Sequence, residues 1–160
     1  MSSDEADPNV VAFPNKRKSS GSSTEIIWSK KVCGHGYAAI PSILIKAQKR
    51  LLIRPTEMNI LIQLLDYWID PTRPPFPTKR QLAERMGITE KTLQNNMNSL
   101  ERKELVKRQR RKTAAGDWNS NIYHLDGLVE KVKALEPEFA EAKRKKKALQ
   151  EAAEGRYKGA

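Results

Sequence analysis

The chain has 160 residues, enough for one compact domain with flanking tails, and it is 38% hydrophobic and 31% charged. Its formal net charge is +11, and residues 71–125 contain 12 Lys and Arg against 5 Asp and Glu. Such a local surplus of cations attracts polyanions. No apolar run is long enough to span a bilayer, no signal peptide is evident, and a single cysteine excludes an intrachain disulfide framework. We therefore expect a cytoplasmic protein without a membrane partner.

The N-terminal third is predicted to contain little regular structure. Residues 1–23 are polar and are expected to form a disordered tail. Residues 24–54 form a lead-in segment, in which Glu25–Trp28 and Gly36–Ile40 are expected to be short extended pieces. A short helix is expected at Pro41, because proline suits the first turn of a helix.

A longer helix is predicted to begin at Pro55. Its apolar residues recur at helical spacing and give it one broad buried face: Met58, Ile60, Leu61, Leu64, Leu65 and Trp68. The proline-rich stretch from Asp70 to Pro75 ends it, because proline cannot continue a helix and biases the preceding residue away from helical backbone.

Two further helices with a tight turn between them are predicted over residues 76–105. Thr78 and Gln81 match a capping box at the start of the first helix. Gly87 supplies the left-handed residue that ends it, and Thr89 caps the next helix.

The second of these helices has an apolar face and a polar face. Its inward positions follow helical spacing: Leu93, Met97 and Leu100. The opposite side carries three amides: Gln94, Asn95 and Asn98. An amide offers a donor and an acceptor in one plane, which suits adenine in the DNA major groove. The alternative is an ordinary polar face on a surface helix.

A β-hairpin is predicted directly after this helix. Its outgoing strand begins at Leu105 and carries five cations: Lys107, Arg108, Arg110, Arg111 and Lys112. Thr113–Asp117 is the turn, and Trp118–Leu125 returns as the second strand. Five neighbouring cations repel one another unless a counter-charge is near, so we expect the hairpin to lie beside a phosphate backbone. Residues 108, 110 and 112 share one face of the strand, and residues 107, 109 and 111 share the other.

The C-terminal segment, residues 128–153, is predicted to be helical, with a tail over residues 154–160. Its apolar residues form a stripe: Leu128, Val132, Leu135 and Phe139. Pro137 interrupts this stripe, which is tolerable if a second helix starts there. The stripe either covers the core of the chain itself or serves as a dimerisation helix. The basic run Lys143–Lys147 is either a solvated helix face or a further contact to DNA.

Residues suited to catalysis or metal binding are sparse. Cys33 and His35, with His124 far along the chain, do not make a closed zinc site, and no phosphate-binding glycine loop is present. Carboxylates such as Glu84 and Glu101 are expected to form solvent-exposed pairs. We expect neither an enzyme nor a metal or other cofactor.

The helix-turn-helix followed by a hairpin resembles the winged helix-turn-helix DNA-binding proteins of bacteria, their plasmids and phages. The resemblance covers roughly residues 36–128. It is carried by Leu82-Ala83, Met86-Gly87-Ile88-Thr89, Thr92-Leu93, Leu100-Glu101, Glu104-Leu105-Val106, Gly116 and Ser120–Leu125. It implies an α+β fold that is mainly α with a small β-hairpin wing. The winged helix-turn-helix domain would span residues 55–127 and carry an added C-terminal helix.

The resemblance also implies three groups of DNA-binding residues. The recognition helix would supply Thr89, Lys91, Thr92, Gln94, Asn95 and Asn98. The N-terminus of the preceding helix would hold phosphate through Thr78, Lys79 and Arg80. The wing would supply Lys107, Arg108, Arg110, Arg111 and Lys112.

The predicted function is that of a sequence-specific transcriptional regulator of double-stranded DNA, a repressor that acts by promoter occlusion. It would be cytoplasmic and nucleoid-associated, and a homodimer without a small-molecule effector. The first alternative is an origin-binding or replication-accessory protein of a plasmid or phage. The second alternative, from another class, is a winged-helix module that binds protein.

Overall fold

A computed structural model describes residues 22–112 and 120–158 of the protein, with side chains up to Gly155. The tail predicted over residues 1–23 therefore lies outside the described residues, except at its last two positions. The predicted hairpin turn and the first residues of its returning strand lie outside them as well.

The chain divides into two compact units, Met1–Tyr37 and Ala38–Ala160. The first unit contains helices α1 (Ser23–Trp28) and α2 (Lys30–Cys33). The prediction of an extended piece at Glu25–Trp28 is wrong, because a capping box starts a helix there. The Ser22 hydroxyl accepts a hydrogen bond from the Glu25 N–H (3.2 Å), and the Glu25 carboxylate accepts one from the Ser22 N–H (3.4 Å).

The second unit begins with α3 (Ser42–Lys46) and α4 (Pro55–Tyr67). No strand forms at residues 36–40, where a second extended piece was expected to lead in. Pro41 is the N-cap of α3, one position before the predicted first turn. Pro55 opens α4 as predicted, and its inward residues Ile60, Leu61 and Leu64 are fully buried.

Helices α5 (Lys79–Met86) and α6 (Glu90–Arg102) form the predicted helix-turn-helix. The capping box of Thr78 and Gln81 is present, and Gly87 ends α5 with a left-handed backbone (φ 65°). The Thr89 hydroxyl caps α6 by accepting a hydrogen bond from the Thr92 N–H at 3.1 Å. All three local signals are confirmed.

The wing consists of strands β1 (Lys107–Gln109) and β2 (Ile122–His124), which are antiparallel with Arg108 opposite Tyr123. Both strands are shorter than predicted. The Tyr123 N–H donates to the Pro75 carbonyl at 2.9 Å, so the proline-rich loop lies along the outer side of β2. The Tyr123 side chain is buried in the core, whereas its neighbour Ile122 is half-buried.

Helix α7 (Asp126–Lys158) completes the described chain. It passes through Pro137 without a break, so no second helix starts there, and it extends into the predicted tail. At its start, a Cβ added to Gly127 would lie 2.0 Å from the Glu104 carbonyl oxygen. Glycine therefore permits this close approach of α7 to the turn after α6. No described helix is long and apolar enough to cross a membrane.

One hydrophobic cluster joins the elements of the second unit. Its fully buried members come from α3, α4, α5, α6, the wing and α7: Leu44, Ile60, Leu61, Leu64, Leu82, Leu93, Met97, Leu100, Leu105, Tyr123, Leu125 and Leu128. Because Leu44 and Leu128 belong to it, the core continues beyond both predicted limits of the domain, residues 55 and 127. The fold is mainly α with a small two-stranded wing, as predicted.

A buried carboxylate fixes the far end of α6. Glu57 is fully buried and accepts hydrogen bonds from the Arg54 N–H (2.7 Å) and the Lys103 ammonium (2.5 Å). Burial alone would raise its pKa, but bonds from Arg54, Lys103 and Ser99 outweigh that effect and lower the pKa to about 2. Lys103 also donates to the Leu52 carbonyl at 2.6 Å. The C-terminus of α6 is thereby tied to α4 and to the turn before it.

Candidate nucleic-acid interface

Three predicted groups of DNA-binding residues meet at one open groove. The groove lies between the N-terminus of α5, the first turns of α6 and the wing. The predicted residues that line it are Thr78, Lys79, Arg80, Gln94, Arg108 and Arg110. Glu90, Glu101, Ser120 and Asn121 also line it and were not predicted as site residues. The groove therefore combines four cations with two carboxylates.

The N-terminus of α5 presents its polar groups to solvent. The Thr78 hydroxyl accepts a hydrogen bond from the Gln81 N–H at 3.1 Å, while Lys79 and Arg80 are exposed. Arg80 pairs with Glu84 at 2.8 Å, and both side chains are mostly exposed. This confirms the expected solvent pair of Glu84. Exposed pairs contribute little to stability, so a phosphate can compete with Glu84 for Arg80.

The first half of α6 exposes Lys91, Thr92 and Asn95. The Thr92 and Thr89 hydroxyls lie 2.9 Å apart and form a hydrogen bond with each other. The Asn96 amide donates to the Thr92 carbonyl at 2.9 Å, one turn back. These residues form the outward surface that the amphipathic pattern predicted.

Gln94 and Asn98 are less exposed than predicted. The Gln94 Nε2 donates to the Asn98 Oδ1 at 2.7 Å, and the Arg108 guanidinium donates to the same oxygen at 2.6 Å. Both amides are half-buried. Asn98 therefore links the recognition helix to the wing and is not presented directly outward. Gln94 lines the groove as the outer end of this network.

Arg108 is held by Glu101, and its side chain is only 16% exposed. The Arg108 Nε donates to Glu101 Oε1 at 2.9 Å, and the Arg108 backbone N–H donates to the same oxygen at 3.1 Å. Hydrogen bonds from Arg108 lower the pKa of Glu101, and those to Glu101 raise the pKa of Arg108. The expectation of a solvent-exposed pair at Glu101 is wrong. Glu101 is the counter-charge that the crowded cations of β1 require, and Arg108 fastens the wing to α6.

The other cations of the wing lie in different settings. Lys107 is exposed, and Arg110 lines the groove. The Arg111 guanidinium lies over the Phe76 ring, 5.3 Å from its centroid, and Lys112 is exposed. The five cations therefore do not form one continuous phosphate-binding face.

The stripe predicted for dimerisation is partly used within the chain. Leu128 is fully buried in the core, and Val132 packs against it. Leu135 and Phe139 are half-buried. The first two positions favour the alternative in which α7 covers the core of its own chain. Dimerisation through this helix stays a prediction.

The candidate metal ligands do not come together. Among residues 22–112 and 120–155, no group of three His, Cys, Asp or Glu side chains is placed to hold a metal ion. His124 instead forms a hydrogen bond with Gln109 across the wing at 2.9 Å.

Comparison with known proteins gives a family match. A family model described as the DnaD N-terminal domain matches residues 40–145. No curated protein matches the chain. The crystal structure of the N-terminal domain of DnaD protein from Geobacillus kaustophilus HTA426 is 21% identical, with a TM-score of 0.50, and the match covers 72% of this chain and 91% of that one. At this identity the likeness is one of fold.

A second solved structure, a possible transcriptional regulator from Methanosarcina mazei Go1, is 17% identical with a TM-score of 0.42. That match covers 69% of this chain and 85% of the other, and it is too distant to support an inference. The family model, by contrast, spans helices α3 to α6, the wing and the first part of α7, well over half of the sequence. The chain therefore belongs to the DnaD N-terminal domain family.

Proposed function

We propose that the chain binds duplex DNA through the groove between α5, α6 and the wing, and that it does so as a replication-associated protein. The observation that carries the proposal is the convergence of the three predicted DNA-binding segments on that groove, where α5 and the wing contribute the cations. Each segment was singled out separately in the sequence. The proposal includes no catalytic step, cofactor or small-molecule effector.

Affinity would come mainly from neutralisation of phosphates. Lys79 and Arg80 lie at the N-terminus of α5, where the helix dipole and unpaired N–H groups favour an anion. Arg110 on the wing faces the same groove. A duplex that contacts both sides would release counterions at each neutralised phosphate, which gives a strong dependence of affinity on salt.

Specificity would come from the exposed half of α6. Lys91, Thr92 and Asn95 are exposed there and would reach the base edges. Gln94 would add a contact from the outer end of its hydrogen-bond network with Asn98 and Arg108. Asn98 and Arg108 themselves would act by holding the wing against α6. The remaining wing cations, Lys107, Arg111 and Lys112, would contact the phosphate backbone beside the site.

The replication role is placed ahead of promoter occlusion because of the family. DnaD N-terminal domains are linked to replication and primosomal proteins. No observation of the described residues favours a repressor specifically. A module that binds only protein is disfavoured, since the surplus of cations lies on the segment that forms the groove.

The proposal is tested by selecting fragments of a host genome on the full chain at two salt concentrations. Repeated sites clustered at a replication origin support it. A single inverted repeat at a promoter would return the function to that of a repressor. Recovery of no sequence above random would leave non-specific binding and remove the base-reading role of α6.

Two variants separate the parts of the groove. Gln94→Ala with Asn95→Ala should abolish discrimination between selected and random duplexes while non-specific binding persists. Arg110→Ala with Lys112→Ala should weaken binding to both duplexes alike. The slope of log affinity against log salt should fall by about one to two. Equal losses on both duplexes for the first pair would contradict its role in base recognition.

A further inference from the structure

A second basic surface lies on the part of α7 that leaves the core. Every side chain from Glu141 to Gly155 is exposed, and this stretch contains the run Lys143–Lys147. Successive residues of a helix are rotated by about 100°, so five consecutive cations surround the helix completely. They divide into two groups according to what lies beside them.

The first group is paired within the helix. Lys145 lies 2.7 Å from Glu141, and Lys147 lies 3.6 Å from Glu151, each one turn away. These pairs support a helix segment that is polar on all sides.

The second group faces a groove between α7 and α3. Lys143, Arg144 and Lys146 line this groove together with Lys46. Glu136 is the carboxylate that lines it. Within the part of the chain whose side chains are described, Lys143, Arg144 and Lys146 form no ion pair. Four cations and one carboxylate therefore line the groove, and this surplus of positive charge favours a bound polyanion.

The floor of the groove is apolar and half-buried. It is formed by Ile43 of α3 with Phe139 and Ala140 of α7. An aromatic ring and aliphatic carbons below a basic rim suit the sugar and base surfaces of a nucleic-acid strand whose phosphates lie at the rim. A bidentate ion pair between Arg50 and Glu138 (2.9 and 3.1 Å) joins α7 to the turn after α3 beside this groove.

We infer that the groove between α3 and α7 is a second nucleic-acid site, which binds the sugar-phosphate backbone without regard to sequence. None of its lining residues belongs to the groove beside α6. The chain would thus hold one segment of nucleic acid by position-specific contacts and a further segment by charge. The second site does not depend on the first.

The test compares two double variants of the full chain that remove the same charge from the same helix. Lys143→Gln with Lys146→Gln removes cations of the groove, and Lys145→Gln with Lys147→Gln removes paired cations as the control. Each pair is placed in the wild-type background and in a background with Lys79→Gln and Lys91→Gln, which weakens the groove beside α6. The probes are a labelled random 20-base-pair duplex and a labelled random 20-nucleotide single strand, measured by fluorescence anisotropy over a range of salt.

In the weakened background we expect residual binding to at least one probe. The Lys143 and Lys146 pair should weaken that binding about tenfold and lower the slope of log affinity against log salt by about one to two. The control pair should change affinity less than twofold. The probe that loses more affinity identifies whether duplex or single strand occupies the groove.

Equal effects of the two pairs would overturn the inference, because net charge alone would then explain them. Complete loss of binding in the weakened background would also overturn it. If the weakened background binds as wild type does and only the Lys143 and Lys146 pair loses affinity, the second site stands and the proposed function of the α6 groove fails. Circular dichroism of each variant confirms that α7 remains helical.

Discussion

The groove beside α6 and the basic stretch of α7 differ in how firmly their charges are held. In the groove, Arg108 is bound by Glu101 and Asn98, and the helix behind it is fixed to α4 through Lys103 and Glu57. On α7, the cations project from a helix whose side chains are exposed on every face from Glu141 to Gly155. Fixed groups can distinguish one DNA shape or base edge from another, whereas exposed lysines neutralise any phosphate within reach. The two surfaces therefore differ in how their cations are held more than in how many cations they carry.

The largest effect should follow from substituting Gly127, which lies where the wing passes into α7. Its replacement by alanine places a methyl group against the Glu104 carbonyl, so the backbone must shift. We expect a loss of more than about 3 kcal/mol in the free energy of unfolding, measured by urea denaturation. Gly155→Ala is the control on the exposed stretch of α7, where no neighbouring atom is met. It should leave stability unchanged or slightly higher, and similar losses for both variants would contradict the close approach.

The next effect is a loss of folding stability at low pH. Glu57 has a folded pKa of about 2, against 4.5 for an unperturbed carboxyl. Since its folded pKa is the lower one, its contribution is complete above about pH 4.5 and is lost as the pH falls toward 2. The shift corresponds to on the order of 3 kcal/mol. Urea denaturation between pH 2.5 and pH 7 should show that Glu57→Gln is less stable at neutral pH and that the difference shrinks in acid. Parallel curves for both proteins would contradict this.

A smaller effect is expected when the wing is released from α6. Arg108→Ala removes the guanidinium donors of Glu101 and leaves only the backbone N–H of residue 108, so it should cost about 1–3 kcal/mol. It should also weaken discrimination between selected and random duplexes, because the wing loses its fixed position. Lys107→Ala, the exposed neighbour on the same strand, is the matched control for the removal of one charge. Identical binding by the two variants would show that Arg108 acts by charge alone.

The smallest effect should come from the exposed pairs of α7. Lys145→Gln with Lys147→Gln breaks both ion pairs, and thermal unfolding should shift by no more than about 1–2 °C. A larger shift would mean that this part of α7 is held by contacts within the folded chain, and the contrast between the two surfaces would weaken.

Local signals predicted the helix-turn-helix well, because each depends on residues within one turn of each other. Thr78 with Gln81, Gly87 and Thr89 all act where the sequence places them. The same kind of signal exists at Ser22 and Glu25. The adjoining Ile-Ile-Trp run is typical of a strand, so the capping box was not used to predict a helix there. Pro137 was expected to break a helix that continues through it at the cost of one backbone hydrogen bond.

The site was predictable in outline and unpredictable in its pairings. The three DNA-binding segments could be found from charge and spacing, and they line one groove. The bond between Glu101 and Arg108 joins a helix to a strand, so it depends on the path of the chain between them. No periodicity within either element indicates it. The same reason explains why Asn98, on the polar face of α6, is held by the wing.

The contact between Pro75 and Tyr123 has a consequence for how copies of the protein behave in a crowded solution. A two-stranded ribbon has two open edges, and each is a template for pairing with a strand of another chain. Here the proline-rich loop covers the outer edge of β2, and proline itself offers no N–H to an incoming strand. The other edge belongs to β1, where the Arg108 N–H already donates to Glu101 and the exposed Lys107 repels a second copy of the same strand. The wing is thus protected against aggregation on both sides, by proline on one edge and by charge on the other.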